Sequence, residues 1–150
     1  MTPSLDIRSA TADDLPDILR LYALPEFDDG RTLSLDEARN RFEGLRRYPD
    51  YHIYVAWQAR RIVGTFALLV MEKLNHLGTP SAIVDDVIVA TECRSQGIGR
   101  RMMEHAMQLA RQKGCYKLAL STNVKRAEAH RFYESLGFVR HGYSYIINLD

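Results

Sequence analysis

The sequence predicts a mixed α/β (α+β) domain, one sheet with helices on its faces. Three observations point there. Short apolar runs of strand length alternate with segments whose apolar residues recur at helical spacing. Two strand-like runs, 52–58 and 62–71, are separated only by residues 59–61, which is hairpin spacing. A further apolar strand, 82–90, runs into a glycine-bearing turn that opens a helix near Gly97.

Taken in order, residues 5–8 form the first strand. Thr11 offers an N-cap with Asp14 three residues on, close to a capping box although Asp stands in the usual Glu place. Leu15, Ile18, Leu19 and Tyr22 follow at helical spacing, so a helix runs to about Ala23. Pro25 and Gly30 break the chain within an acidic loop, 25–31. Ser34 caps a second helix with Leu35, Ala38, Phe42 and Leu45 on one face, and Pro49 lies beyond its end. After the hairpin, the loop 72–80 leads to the strand 82–90. The helix opened near Gly97 closes at Gly114, a residue suited to a C-cap. Residues 117–122 form a strand, 126–136 a helix ending at Gly137, and 138–149 a terminal strand. The order is β-α-α-β-β-β-α-β-α-β.

No repeat, low-complexity tract or linker divides the 150 residues, so residues 1–150 form a single domain. Lys and Arg number 20 against 19 Asp and Glu, a net charge of +1 that argues against a nucleic-acid binder. The two cysteines, Cys93 and Cys115, have no metal-ligand spacing, and no metal site is expected. Residues 1–10 do not read as a secretory signal. The longest apolar stretch, 62–71, is far below the ~20 residues that cross a bilayer. The expectation is a reduced, cytoplasmic protein without membrane contact.

The most informative segment runs from Asp85-Asp86-Val87-Ile88-Val89 to Arg94-Ser95-Gln96-Gly97-Ile98-Gly99-Arg100-Arg101. Backbone N–H groups at a helix start lack intrahelical acceptors, and the helix dipole favours negative charge there. Gly97 and Gly99 remove side chains that would keep a phosphate from those donors, and Arg94, Arg100 and Arg101 add positive charge. This is an anion site shaped for a pyrophosphate. The Gly-Lys-Ser/Thr end of a Walker loop is absent, and Met102 stands where a dinucleotide fold has its third glycine.

With these residues in place, the sequence resembles the GNAT superfamily of N-acetyltransferases. Arg94, Gly97 and Gly99 match its Arg/Gln-x-x-Gly-x-Gly/Ala motif. Ala129, Phe132, Tyr133, Gly137 and Phe138 match its Ala-x-x-Phe-Tyr-x-x-x-Gly-Phe signature. The resemblance covers nearly the whole chain and is weakest between residues 24 and 50. It implies a twisted, mostly antiparallel sheet of six to seven strands, with a splayed parallel pair at its centre and about four helices around it. It also implies acetyl-CoA as cosubstrate, held by the backbone of Val87, Ile88 and Val89 and by the turn from Arg94 through Ser95, Gln96, Gly97, Ile98 and Gly99 to Arg100. Asn123, His130, Phe132 and Tyr133 would line the cofactor further on, and pairing as a homodimer is common among relatives.

Acetyl transfer requires that an alkylammonium lose a proton and that the departing thiolate gain one. Asp86 is the favoured base or amine-orienting group, with Asp85 close behind. Strand alternation sends the two to opposite faces unless a bulge intervenes. The resemblance gives Tyr133 the role of thiolate acid. His130 can equally be a surface residue, and either aspartate can equally make a structural hydrogen bond.

The expected activity is transfer of acetyl from acetyl-CoA to the primary amine of a small molecule, by direct attack in a ternary complex. The cofactor-side residues look most like aminoalkylphosphonate and glucosamine-6-phosphate N-acetyltransferases, and that likeness implies an acceptor carrying phosphonate or phosphate. Glu26, Asp28 and Asp29 suit a cationic acceptor instead, whereas Arg31, His52 and His76 suit an anionic one. A protein lysine or N-terminal acetyltransferase and a non-catalytic acyl-CoA-binding module are the alternatives.

Overall fold

The computed structural model describes residues 3–150. The chain forms β1 (Leu5–Ser9), α1 (Leu15–Tyr22), α2 (Leu35–Gly44), β2 (Tyr51–Gln58), β3 (Arg61–Met71), β4 (Ser81–Val89), α3 (Ile98–Gln112), β5 (Leu118–Ala119) and α4 (Ala127–Ser135). It divides into two compact units, the first ending at Ala119 and the second spanning Leu120–Asp150.

In the first unit one sheet runs in the order β1-β2-β3-β4-β5. The first four strands are antiparallel neighbours, and β5 joins β4 in parallel through Ala82↔Leu118 and Ile83↔Ala119 alone. The mixed sheet with four α-helices is as expected, but the strand count is five rather than six to seven. The strand expected over 117–122 shrinks to Leu118–Ala119, and residues 138–149 form no strand. Apolar alternation reports which side chains share a face, while a strand also needs a ladder partner, which alternation does not reveal. The parallel pair accordingly lies at the end of the strand order, not its centre.

Local chemistry explains the elements before the site. The Thr11 N–H donates to Asp14 Oδ2 at 2.8 Å, and Arg8 grips the same carboxylate at 2.7 and 3.0 Å. This holds the Asp14 carboxyl below its ordinary pKa. One 3-10 turn, Ala12–Asp14, then leads into α1, which buries Leu15, Ile18 and Leu21. Ser34 Oγ accepts the Glu37 N–H at 3.2 Å and starts α2. The β2–β3 hairpin turns on Ala59 (φ 51°) and Arg60 (φ 64°), a two-residue connection with both residues left-handed.

β3 is the spine of the unit. Ile62, Val63, Thr65, Phe66, Ala67 and Leu68 are all buried, so both faces of this strand are covered. The Thr65 hydroxyl donates to the Tyr54 carbonyl at 2.7 Å, which pairs its polar atom. Gly64 has a steric task. A Cβ there would sit 2.7 Å from Met102 Sδ and 3.1 Å from the Ile88 carbonyl, so its absence lets α3 lie close on the sheet. α3 buries Ile98, Met102, Met103, Ala106 and Ala110 along one face.

In the second unit, α4 ends in a Schellman cap. The Gly137 N–H donates to Glu134 O (3.0 Å) and the Phe138 N–H to Tyr133 O (3.1 Å), with Gly137 at φ 98°. The Phe138 ring then packs edge-on to Tyr133 at 5.7 Å. This accounts physically for the Gly-Phe pair that follows the helix.

Candidate active site

β4 carries both aspartates, and its pairing with β3 slips there. Ala67 faces Asp85 and Thr65 faces Ile88, so two steps on β3 oppose three on β4. The extra residue makes a bulge. Asp86 takes the left-handed conformation (φ 52°), and its N–H donates to Asp85 Oδ1 at 2.9 Å. The bulge cancels the alternation that would have parted the two acids. Both carboxylates act on the same hydroxyls: those of Tyr22 and Tyr51 are pushed up by burial, then by Asp86, with Asp85 adding to it. Burial raises Asp86 itself to about 6, helped by the negative charges of Asp85 and Asp28.

Register builds a cavity beside this pair. Leu69 pairs with Tyr51 on one side and with Ile83 on the other, while Ala67 pairs with Asp85. Tyr48 meets Tyr51 edge-to-face at 5.8 Å and 89°. Together these six residues line a half-open cavity of about 240 Å3. Among them only Asp85 was singled out by the sequence. The others escape because a cross-strand set exists only once the register is fixed. The sole sequence cue is the pair Tyr48 and Tyr51 bracketing Pro49 where a helix gives way to a strand.

Beyond β4 the chain makes a short turn, Thr91–Cys93, and then the glycine turn. Ser95 (φ 63°) and Gly97 (φ 81°) are left-handed, and Gly97 is the N-cap of α3 with no side-chain cap over the first-turn N–H groups. A Cβ on Gly97 would meet nothing within 4 Å, so the space before those donors is open. Ile98 is buried and anchors the helix start, while Arg94, Ser95, Gln96 and Arg100 are exposed around it and Gly99 is half-buried. Arg100 lies 3.9 Å from Glu104. Arg94 is more firmly engaged: its Nη2 pairs with Glu26 from the acidic loop, and its Nε donates to the Val89 carbonyl at 3.3 Å. Arg101 instead donates to the Leu5 carbonyl at 3.3 Å. Cys93 is buried and accepts a hydrogen bond from Arg61. Because β5 pairs only with Ala82 and Ile83, the β4 backbone at Val87, Ile88 and Val89 has no strand on that side among the described residues. Uncapped donors, flanking arginines and a β4 edge with no neighbouring strand among the described residues suit the pyrophosphate and the pantetheine arm of coenzyme A.

In the second unit, Asn123 Oδ1 accepts the Lys125 N–H (2.9 Å), and His130 Nε2 lies 2.8 Å from the Asn123 carbonyl. These contacts pin the turn before α4. Phe132 and Tyr133 sit side by side on α4, their rings 5.1 Å apart.

Residues 15–138 match the family described as Acetyltransferase (GNAT) family. The chain belongs to that family. Within the GNAT family it is 31% identical over 136 residues to the aminoalkylphosphonate N-acetyltransferase of Salmonella typhimurium, covering 91% of this chain and 86% of that protein. Over 81 residues it is 35% identical to the glucosamine 6-phosphate N-acetyltransferase of Trypanosoma brucei brucei, covering 54% of this chain and 53% of that protein. A solved structure from Agrobacterium tumefaciens strain C58 superposes with a TM-score of 0.90 at 31% identity, covering 96% of this chain and 99% of that one. The fold is therefore that of a GNAT acetyltransferase. No helix among the described residues is long and apolar enough to cross a membrane, and no group of three or more metal-ligating side chains occurs among them.

Proposed function

We propose that this GNAT protein transfers the acetyl group of acetyl-CoA to the primary amine of a small molecule, by direct attack in a ternary complex. The observation that carries the reading is the path of β4: one strand leads from a bulge presenting two carboxylates to the uncapped start of α3. Acetyl-CoA supplies the activated acyl group, and the first-turn N–H groups of α3, Arg94, Arg100 and the strand-unpaired edge of β4 at Val87, Ile88 and Val89 fit its pyrophosphate and pantetheine. Asp86, poised near pH 6, takes the proton that the acceptor ammonium must lose, directly or through a water. The amine nitrogen then attacks the thioester carbon, the C–S bond breaks and Tyr133 protonates the departing thiolate, while the second proton shed by the acylated nitrogen returns through solvent to the Tyr133 phenolate. A cavity of about 240 Å3 suits a small acceptor better than a polypeptide.

The reading includes a cytoplasmic, homodimeric protein. Support for pairing comes from the run Tyr143, Tyr145, Ile146, Ile147 and Leu149, which is exposed and largely apolar. The test is acetyl-CoA-dependent thiol release with an amine panel, Tyr133→Phe beside the wild type. The variant should lose about 10²- to 10³-fold in kcat with acetyl-CoA affinity nearly unchanged. Weaker acetyl-CoA binding at undiminished kcat would remove the acid role from Tyr133.

A further inference from the structure

The wall of the cavity beside the acid pair says more than its size does. Tyr48, Tyr51, Ala67, Leu69 and Ile83 are uncharged, and Asp85 is the one ionisable carboxyl in the lining. Asp86 and Asp28 add negative charge close by, since both Asp85 and Asp28 oppose ionisation of Asp86. None of the six lining residues is a cation. Anionic groups on substrates are held by Arg or Lys side chains or by free backbone donors at helix starts. Here such donors lie at the glycine turn, the pyrophosphate end of the site.

Resting on the acetyl-transfer reading above, we infer that the acceptor is a primary amine on an apolar or aromatic body bearing no phosphate, phosphonate or carboxylate. Tyr48 and Tyr51 meet at a right angle, and such a corner receives an aromatic edge or an alkyl chain. Leu69, Ile83 and Ala67 form an aliphatic floor beneath it, set by the register of three adjacent strands. An ammonium entering the site is attracted by Asp85, Asp86 and Asp28 and by the phenol faces. An anionic substituent would meet the same three carboxylates and be repelled. The half-open cavity of about 240 Å3 has room against its lining for one ring or a short chain.

Matched acceptors test this. Thiol release from acetyl-CoA is measured with 2-phenylethylamine against phenylalanine, and with propylamine against 2-aminoethylphosphonate, together with glucosamine 6-phosphate. The expected result is a kcat/KM at least tenfold higher for the uncharged-body member of each pair. Ile83→Arg, which puts a cation into the wall beside Asp85, should reduce or reverse that ratio. Wild-type preference for the phosphonate, the phosphate or the amino acid would overturn the inference and leave acetyl transfer standing. If calorimetry shows acetyl-CoA binding but no amine is turned over, the acetyl-transfer reading itself fails, and this inference with it.

Discussion

Asp86 is held in a left-handed conformation and in an environment that works against its charge. Burial and neighbouring carboxylates raise its carboxyl to about 6. A raised carboxyl pKa means the native state keeps a proton that the unfolded chain has already lost. From this group, stability therefore falls as pH rises from about 4 to about 6. Asp86→Asn should thus raise the thermal midpoint at pH 7.5 while lowering kcat by at least about 100-fold. A lower midpoint would show the carboxylate to be structural. Arg94 presents the opposite case, a cation already engaged. Glu26 occupies its Nη2 and the Val89 carbonyl its Nε, so in the proposed complex the pyrophosphate competes with Glu26. Glu26→Gln should tighten acetyl-CoA binding about three- to tenfold in calorimetry; weaker or equal binding would mean that the pair does not compete. The candidate acids, the glycines and the arginines were legible in the sequence because their chemistry is local. The Glu26–Arg94 pair was not, since it joins residues 68 apart.

At the scale of elements, the helix starts at Thr11 and Ser34, the hairpin and the α3 boundaries were readable, because capping residues and left-handed glycines act within a turn of themselves. The bulge in β4 was visible only as a possibility: Asp85-Asp86 marks where alternation becomes costly, not whether an extra residue is inserted. The end of the chain differs from the expectation, because Tyr143, Tyr145, Ile147 and Leu149 keep a strand-like alternation without pairing as a strand. Gly64 is a steric demand that no local pattern announces. Gly64→Ala should destabilise the protein by about 1–3 kcal/mol in urea unfolding, since the new methyl must displace Met102 and approach the Ile88 carbonyl. Unchanged stability would mean that α3 does not need so close an approach.

At the scale of the whole molecule, the fold joins a strand carrying acids to a helix start with uncapped N–H groups, which is the arrangement the proposed acyl transfer needs. The apolar run from Tyr143 to Leu149 should be covered by a second copy. Sedimentation at micromolar concentration should therefore report a dimer, and Tyr145→Asp combined with Ile147→Asp should give a monomer. A monomeric wild type would contradict this. The central claim is tested most directly by the pH dependence of acetyl-CoA thiol release with 2-phenylethylamine, for the wild type and Asp86→Asn. The account predicts a wild-type kcat/KM that rises with pH through about 6, as Asp86 loses its proton, and a variant in which the residual rate lacks that limb. A wild-type rate that depends on the amine but is flat across pH 5–7, or a variant as fast as the wild type, would contradict it.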